Sequence, residues 1–237
     1  MGKAVEEIAL AKNHTILLKV DAGNAAAFSP GDLKQCDAAV EFSTPATVLQ
    51  NIRQCFEANI PIVVGTTGWY DDLEKVKQDC LKKNQSLLWA SNFSIGVNIF
   101  FEVNKKLAEL MNSQEQYEIE MEEIHHSEKK DSPSGTAITL ANQILENIRR
   151  KTKWKNILLH QPSAVKYQTS RNDLLILSRR ENNVTGTHTI KYGSSVDSIE
   201  IKHTAYSRKG FAEGAMMAAE WLAGKKGFFT MKDFLKL

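Results

Sequence analysis

Apolar and polar positions along the first 95 residues form short apolar runs separated by amphipathic helical stretches. The runs are apolar nearly throughout, which is typical of parallel strands covered on both faces. The predicted strands are Thr15–Val20, Asp37–Phe42, Ile60–Val64 and Ser86–Ala90. The predicted helices are Lys3–Lys12, Pro45–Ala58 and Asp71–Lys83. Because helices and strands alternate, this part of the chain is expected to form a doubly wound parallel α/β sheet.

The pattern changes from about Gly96 onwards. Predicted helices cover Val97–Met111, Thr136–Arg150 and Phe211–Leu222, and predicted strands cover Tyr117–Ile124, Leu174–Arg180, Val184–Tyr192 and Val196–His203. The last three strands follow one another without helices between them, which indicates an α+β domain with an open mixed sheet. The polar stretch 151–172 shows no clear periodicity. The pattern alone leaves open whether the last helix returns to the first domain.

Composition excludes several classes of protein. The chain has 237 residues, 42% of them hydrophobic, and a formal net charge of +2, which argues against disorder and against nucleic-acid binding driven by bulk charge. The sequence has no apolar run of 18 residues, so no membrane-spanning helix is expected. The three cysteines, Cys36, Cys55 and Cys80, lack metal-binding spacing and are too few for a disulfide framework. Reduced thiols in a cytoplasmic protein are the expectation.

The densest group of polar side chains is the segment 122–136, which follows a predicted strand and precedes a helix. His125 and His126 are adjacent, so they point in different directions on an extended chain and are poorly placed to share a metal ion. His125 and Lys129 can converge across a turn. Ser134, Gly135 and Thr136 open the next helix, where free N–H groups and hydroxyls suit a carboxylate or a phosphate.

Each of these residues also has a purely structural interpretation. Ser134 could serve only as a helix cap, Asp131 as a turn residue and Lys130 as a solvated charge. The occurrence of two histidines, a lysine and Ser-Gly-Thr within twelve residues favours a functional site.

The same segment carries a family resemblance. Residues Glu123 to Ala137 closely resemble the pattern E-[LI]-H-H-x-x-K-x-D-[AS]-P-S-G-T-A of the dihydrodipicolinate reductases. Further similar segments lie along nearly the whole chain, at 41–45, 65–68, 90–94, 96–98, 186–189 and 208–222. The resemblance implies a Rossmann-like nucleotide-binding domain at 1–95 and 208–237, and a substrate-binding and oligomerisation domain at 96–207.

The resemblance also implies the activity. Members of the family reduce a cyclic imine dicarboxylate, 4-hydroxy-tetrahydrodipicolinate, to tetrahydrodipicolinate in lysine and diaminopimelate biosynthesis. It assigns His125 as the general acid and Lys129 as the second catalytic residue. His126, Ser134, Gly135 and Thr136 are assigned to the substrate carboxylates. A histidine with a pKa near neutrality suits proton donation, and hydride and proton transfer call for no metal.

The resemblance places the nicotinamide cofactor at the ends of the predicted parallel strands. The implied cofactor-binding residues are Gly2, Asp21, Phe42, Ser43, Gly65, Thr67, Ala90, Asn92, Phe93, Arg208 and Phe211. These positions agree with the edge at which doubly wound sheets bind nucleotides. The family further implies a homotetramer built through the mixed sheet.

Asp21 bears on the choice of cofactor. It ends a predicted strand about 20 residues after Gly2, where NAD-binding proteins hydrogen-bond the ribose 2′-hydroxyl. A carboxylate there repels a 2′-phosphate, and neither Ala22 nor Gly23 supplies a compensating cation. We therefore expect a preference for NADH, although the family often accepts NADPH as well. A simple turn role for Asp21 is the alternative.

The chain departs from the family pattern at its start. Members begin with a strand and a G-x-G-x-M-G loop, whereas Met1, Gly2 and Lys3 resemble only the end of that loop. The expectation is that about ten residues, one strand and a tight turn, precede the present Met1 in the native protein, the start having been assigned at an internal Met.

Two other functions compete with this reductase. One is a dehydrogenase of the same two-domain type that acts on a different anionic substrate. The other is a catalytically inactive cofactor-binding or regulatory protein. The combination of His125, His126, Lys129 and Ser-Gly-Thr argues against both.

Overall fold

The computed structural model describes residues 1–21, 23–24, 30–159 and 170–237. It divides into two compact units, which we call unit 1 and unit 2. Unit 1 comprises Met1–Asn98 and Arg208–Leu237, and unit 2 comprises Ile99–Ser207. The helix that crosses from one range to the other spans Ile95–Met111, so the division predicted at residue 96 falls in its first turn.

Unit 1 is built on a four-stranded parallel sheet. Its strands are β1 (Ala39–Glu41), β2 (Ile62–Val64), β3 (Ser86–Trp89) and β9 (Gly227–Phe229), in the spatial order β1-β2-β3-β9. Its helices are α1 (Gly2–Ala11), α2 (Pro30–Leu33), α3 (Val48–Ala58), α4 (Leu73–Lys82), α7 (Lys209–Leu222) and α8 (Met231–Leu235). A single 3-10 turn at Tyr70–Asp72 leads into α4. The predicted doubly wound sheet is confirmed.

Helices cover both faces of this sheet, as its apolar strands require. On one face, Ile62, Val64 and Leu87 pack with the apolar stripes of α3 and α4. On the other, Val63 and Leu88 pack against α7 and α8. The last long helix therefore returns to the first part of the chain. It also packs against α1, whose predicted apolar face of Val5, Ile8 and Ala9 is buried.

The strand predicted at Thr15–Val20 is wrong. The segment follows α1 without regular secondary structure, and Leu17, Leu18 and Val20 are exposed. A run of β-forming residues becomes a strand only by exchanging backbone hydrogen bonds with a neighbour. Among the described residues, no strand pairs with this segment.

Two elements near the end of the chain, β9 and α8, were not predicted. β9 has only three residues, too few for a period-2 pattern to stand out. It is nevertheless an integral strand, because it pairs in parallel with β3 from Ser86 to Leu88. α8 begins with a capping box in which Thr230 and Asp233 satisfy each other's backbone N–H groups.

In its described residues, unit 2 contains a five-stranded mixed sheet and two helices. The strands are β4 (Glu118–His125), β5 (Lys153–Leu159), β6 (Asp173–Arg180), β7 (Gly186–Gly193) and β8 (Ser198–Ala205). The helices are α5 (Ile95–Met111) and α6 (Gly135–Asn147). The spatial order is β5-β6-β4-β7-β8. β6 runs parallel to β4 and β5, whereas β7 is antiparallel to β4 and β8, which confirms the predicted mixed sheet.

Burial in unit 2 follows the alternation of its strands. On β4, Ile119 and Met121 face the helices and pack against α5 and α6, together with Leu174, Ile190 and Tyr192 from β6 and β7. The intervening residues of each strand belong to the opposite face. Glu123 and His125 continue the buried register of β4, so the strand carries two polar side chains towards the helix side.

β5 lies in the stretch where the sequence predicted no regular structure. Its burial pattern mixes exposed lysines with half-buried apolar residues, which hides the strand periodicity. It forms the edge of the sheet and pairs with β6 from Lys153 to Leu159. The rest of that unpatterned stretch includes residues 160–169, which lie outside the described residues. No helix in the described part of the chain has the length and hydrophobicity needed to cross a membrane.

Candidate active site

The end of β4 carries the acid–base residues, and the register of the sheet sets their neighbours. Glu123 lies opposite Ser178 on β6 and opposite His188 on β7. His125 lies opposite Arg180, one pleat further along β6. These side chains come from three strands that are distant in sequence, and they meet on the helix side of the sheet.

Glu123 is the centre of this group and is fully buried. Its two carboxylate oxygens accept the backbone N–H of Ser134 at 3.0 and 3.2 Å. Oε1 also accepts the hydroxyl of Ser178 at 2.7 Å. Burial alone would raise the pKa of Glu123, but these hydrogen bonds and the nearby imidazole of His125 outweigh it and leave the pKa lowered.

His125 lies beside this carboxylate. Its Nδ1 lies 3.4 Å from Glu123 Oε2 without forming a hydrogen bond, and it has no hydrogen-bond partner among the described residues. Its Nε2 lies towards Gly186 of β7, where an added Cβ would be only 3.0 Å away. Burial lowers the pKa of His125 to about 4, against the opposing effect of Glu123. The imidazole is therefore neutral at pH 7 in the protein alone.

His188 packs edge-to-face on His125, with ring centroids 5.1 Å apart. Its Nε2 is 3.0 Å from Ser134 Oγ and 3.8 Å from Glu123 Oε2. Burial lowers the pKa of His188 to about 3, so this ring is also neutral. Sequence reasoning assigned it no role, although it lies within the similar segment 186–189.

Lys129 lies in the turn that follows β4, where its backbone N–H donates to the carbonyl of His126. Its ammonium group forms an ion pair with Asp131, with Nζ 2.8 Å from Oδ1 and 2.9 Å from Oδ2. Lys129 and His125 are close enough for the lysine charge to depress the pKa of the imidazole. His126 is half-buried and lies just beyond the strand.

Ser134 caps α6 and is committed to the protein. Its hydroxyl accepts the N–H of Ala137 at 3.2 Å, and its own N–H donates to Glu123. The next two N–H groups, of Gly135 and Thr136, have no acceptor among the described residues, as expected for the first turn of a helix. Gly135 is exposed. These two groups, rather than the N–H of Ser134, are available to an anion.

Arg180 completes the cluster and was not singled out in the sequence. Its guanidinium lies 3.5 Å from Glu123 Oε1, and it donates to the carbonyl oxygens of Arg179 and Asp131. It thereby ties β6 to the loop that carries Lys129. Only the spatial order β6-β4-β7 reveals Arg180, Ser178 and His188 as neighbours of the motif.

One group of side chains in the described part of the chain has the spacing of a metal site. It consists of Glu123, His125 and His188, whose ligand atoms lie within 4.8 Å of one another. Two of the three already have protein partners, because Ser134 donates to Glu123 and lies against His188. The hydrogen bonds thus account for these two side chains, and the expectation of metal-free chemistry stays a prediction.

Unit 1 presents a second set of predicted residues at the carboxyl edge of its parallel sheet. Phe42 follows β1, and its ring packs so closely on Gly65 after β2 that a Cβ there would lie 2.0 Å from a ring carbon. Phe42 also meets the buried Phe93 edge-to-face at 5.9 Å. The Ser43 N–H donates to the buried Thr66 hydroxyl at 2.8 Å.

The remaining residues of this edge occupy the same loops. Thr67 is exposed in the turn after β2. The Ala90 N–H donates to the carbonyl of Val64, which ties the end of β3 to β2. The Asn92 side chain accepts the N–H of Ser94 at 2.8 Å. The structure therefore brings Phe42, Ser43, Gly65, Thr67, Ala90, Asn92 and Phe93 to one edge of the sheet of unit 1.

The other predicted cofactor residues lie elsewhere in unit 1. Gly2 is the first residue of α1, and Arg208 and Phe211 open α7. Asp21 is exposed and lies in a turn, where its carboxylate accepts the N–H of Gly23 at 2.8 Å. It does not end a strand, which was the basis of its predicted position, and the turn interpretation describes its local geometry.

Sequence comparisons match nearly the whole chain to one family. The description "Dihydrodipicolinate reductase, N-terminus" matches residues 1–93, and "Dihydrodipicolinate reductase, C-terminus" matches residues 96–235. A 4-hydroxy-tetrahydrodipicolinate reductase from Christiangramia forsetii is 47% identical over 237 residues, covering 99% of this chain and 93% of the relative. One from Oleidesulfovibrio alaskensis is 35% identical over 198 residues, covering 83% and 74%.

The fold has a counterpart among solved structures. The dipicolinate-bound dihydrodipicolinate reductase from Paenisporosarcina sp. TG-14 superposes with a TM-score of 0.70 at 19% identity, covering 97% of this chain and 92% of that one.

The family match settles the class of protein. The N-terminal domain of the family is a Rossmann-type nucleotide-binding domain, which indicates use of NAD(P)H. The resemblance inferred from residues 123–137 is confirmed at the level of the family. The chain therefore belongs to the dihydrodipicolinate reductase family and is an oxidoreductase of lysine and diaminopimelate biosynthesis.

Proposed function

We propose that this chain reduces 4-hydroxy-tetrahydrodipicolinate to tetrahydrodipicolinate, with His125 as the proton donor and Lys129 as the second catalytic residue. Overall, one hydride and one proton are added and one water is lost. The observation that carries this proposal is the clustering in unit 2 of a buried imidazole, an ammonium group and an open helix N-terminus. A dianionic substrate needs this combination of acid, cation and fixed donors.

The two carboxylates of the substrate have suitable partners around the cluster. The free N–H groups of Gly135 and Thr136 suit one carboxylate, because they point out of the first turn of α6. Lys129 and His126 suit the other. The Lys129 ammonium is paired with Asp131 in the protein alone, so a substrate carboxylate has to share or replace this partner.

The low pKa of His125 is consistent with proton donation once the substrate is bound. Burial lowers it to about 4, and the positive charges of Lys129 and Arg180 add to that effect. Two carboxylates beside the ring would act in the opposite direction and favour the imidazolium. Binding of the substrate would then favour uptake of a proton from solvent by the ring, and transfer of that proton to the substrate would return the ring to its neutral form.

Reduction requires a nicotinamide cofactor, which supplies the hydride when bound. The carboxyl edge of the sheet in unit 1 fits such a group, because exposed hydroxyls of Ser43 and Thr67 and the aromatic ring of Phe42 stand where parallel sheets bind nucleotides. We assign the cofactor to this edge, with Gly65, Ala90, Asn92 and Phe93 shaping it. Gly2, Arg208 and Phe211 extend the assignment to the starts of α1 and α7.

We further propose that NADH is preferred over NADPH. The support is the exposed carboxylate of Asp21, which would repel a 2′-phosphate. Asp21→Ala should raise kcat/KM for NADPH relative to NADH, measured by cofactor oxidation at saturating imine substrate. A wild-type enzyme that already prefers NADPH would contradict the assignment.

We also propose a homotetramer formed through the mixed sheet of unit 2, and a cytoplasmic location. α5 and α6 pack on one face of that sheet, whereas the opposite face carries the partly exposed Leu175 and Leu177 between charged residues.

The support for the cytoplasmic location is that Cys36, Cys55 and Cys80 are free thiols, which is typical of proteins in a reducing compartment.

The function is tested by turnover. The purified chain should oxidise NADH or NADPH in the presence of 4-hydroxy-tetrahydrodipicolinate generated in situ. His125→Asn and Lys129→Ala should each lower kcat by about 10²- to 10³-fold, since general acid catalysis and charge stabilisation each contribute on that scale. Lys130→Ala, which removes the neighbouring exposed cation, should stay within about twofold of wild type.

The competing functions predict different results. A protein that binds the cofactor but never turns over the imine is a binding or regulatory protein. A chain that reduces other anionic imines or ketones with higher kcat/KM is a dehydrogenase of different specificity.

A further inference from the structure

We propose that Glu123 is a positioning residue of the reaction, which holds His125 and the first turn of α6 in one frame through a single buried carboxylate. The inference rests on the proposed function and deepens it. The role of His125 as an acid does not explain why the charged side chain of Glu123 is fully buried beside it. Hydrogen-bond donation to an anion by the N–H groups of Gly135 and Thr136 does not explain it either.

Burial of the Glu123 carboxylate has a cost in stability. An ionised carboxylate removed from water destabilises a protein by several kcal/mol unless its oxygens are well satisfied. A neutral side chain of similar shape could accept the same N–H and O–H groups at lower cost. A carboxylate at this point, beside the imidazole of His125, is therefore best explained by a use of its charge.

The orientation of His125 follows from its contact with this carboxylate. Nδ1 lies 3.4 Å from Glu123 Oε2, without a hydrogen bond to it or to any other described residue. A bare Nδ1 lone pair would be repelled by this carboxylate, so the neutral ring carries its proton on Nδ1. Nε2, on the side of Gly186, is then the atom that gains the catalytic proton and gives it to the substrate.

Glu123 also contacts the anion site. The same carboxylate accepts the N–H of Ser134 with both oxygens, and Ser134 begins α6. Displacement of Glu123 would therefore shift Ser134 and the N–H groups of Gly135 and Thr136 together. One side chain thus sets the distance between the proton donor and a substrate carboxylate.

The charged and titratable groups around His125 come from every neighbouring element of unit 2. Glu123 is on β4, Lys129 and Asp131 are on the following loop, Arg180 is on β6 and His188 is on β7. Of the two acidic groups, only Glu123 is fully buried, and Asp131 is already paired with Lys129. Glu123 is therefore the main group that stabilises an imidazolium here.

The test compares Glu123→Gln, Glu123→Asp and Glu146→Gln. The last variant removes an exposed carboxylate from α6 and is the control for loss of one negative charge. With the enzyme full-length and saturated with cofactor, Glu123→Gln should lower kcat by at least about tenfold. The alkaline limb of the kcat–pH profile, where the acid loses its proton, should move to lower pH because a stabilising negative charge is gone.

The conservative variant separates charge from packing. Glu123→Asp keeps the charge but shortens its reach to Ser134, so its alkaline limb should stay near that of wild type. Its affinity for pyridine-2,6-dicarboxylate, a stable dianion used as probe, should fall by about three- to tenfold through the displaced anion site. An unchanged pH profile in Glu123→Gln, or variants whose activity follows only the folded fraction, would overturn the inference.

A measurement on the wild-type protein needs neither substrate nor folding of a variant. The ¹⁵N chemical shifts of the His125 ring at pH 7 should show a protonated Nδ1 and a bare Nε2. The opposite tautomer would reject the positioning role. If the wild-type chain fails to turn over the imine but shows the expected tautomer, the proposed function fails and the geometry of Glu123 stands.

Discussion

At the scale of single residues, Gly186 has no side chain, and its backbone therefore leaves room for the imidazole of His125. A Cβ at this position would lie 3.0 Å from Nε2 and 3.2 Å from Cδ2, so the ring must move by a few tenths of an ångström. Gly186→Ala should lower kcat by about tenfold, because a misplacement of this size weakens proton transfer.

Gly193→Ala provides the matched control for this change. Gly193 ends the same strand, and a Cβ there meets only Lys191 at an ordinary 3.8 Å. Steady-state kinetics of both variants, with thermal melts to verify folding, should show a loss of kcat at 186 alone. Equal kinetics in the two variants would contradict the proposed position of the proton donor.

His188 gives the protein a specific sensitivity to acid. Its folded-state pKa is lowered to about 3 by burial, whereas an unfolded chain protonates histidine near pH 6.5. The unfolded state therefore binds more protons between these values, and the free energy of unfolding decreases as the pH falls from about 6.5 towards 3. The stability that the neutral ring contributes is fully present above this range.

We expect His188→Asn to lose less stability on acidification than the wild type. Between pH 7 and pH 5 the difference should be about 2 kcal/mol, measured by urea unfolding followed by circular dichroism. Parallel pH curves for His188→Asn and wild type would show that the ring is not buried in its neutral form.

At the scale of elements, α7 approaches the backbone of Phe93 through a glycine. A Cβ at Gly214 would lie 1.8 Å from the carbonyl oxygen of Phe93, which is backbone and has little freedom to move. Gly214→Ala should therefore destabilise the protein by about 1–3 kcal/mol through overpacking.

Gly210 lies in the same helix with open space around its Cα. Gly210→Ala should stabilise the helix by up to about 1 kcal/mol, since alanine has the higher helix propensity. Thermal melts of the two variants should shift in opposite directions, and a neutral result at 214 would contradict the close packing of α7 on Phe93.

The elements of the fold were predictable where pattern and partner coincide. β2 is apolar throughout and β3 is apolar after Ser86; both lie inside the sheet, and both were predicted. The elements that were predicted wrongly or missed depend on pairing between distant parts of the chain, which a local pattern does not show. Thr15–Val20 has the composition of a strand but no pairing partner among the described residues, whereas β5 and β9 are held by their pairing despite weak patterns.

The candidate site was predictable in part for the same reason. The motif identified His125, Lys129 and the start of α6, because they lie within twelve residues of one another. Ser178, Arg180 and His188 join the cluster only through the order of strands in space, in which β4 lies between β6 and β7. The pairing of Lys129 with Asp131 and the commitment of the Ser134 N–H to Glu123 likewise depend on side-chain geometry.

At the scale of the whole molecule, the proposed homotetramer places new demands on the outer face of the mixed sheet. Leu175 and Leu177 alternate with the buried Leu174 and Ile176, so they point to the face opposite α5 and α6. Leu177→Asp should dissociate the assembly, because a charge in a packed interface is strongly unfavourable.

Light scattering coupled to size exclusion measures this directly. The wild type should have about four times the 26.6 kDa mass of the chain, and Leu177→Asp should have a lower mass. Leu110→Asp, at an exposed position on α5, should assemble as the wild type does. A wild-type protein that is monomeric would remove the proposal.

The two units differ in whether their residues are continuous in the sequence. Unit 2 is one continuous stretch, 99–207, whereas unit 1 needs residues 208–237 to add β9 beside β3 and to cover one face of its sheet with α7. During synthesis on the ribosome, unit 2 can therefore become compact before residues 208–237 are made. One flank and one face of the sheet of unit 1 stay uncovered until those residues emerge, so its apolar strands are exposed to aggregation for longer than those of unit 2.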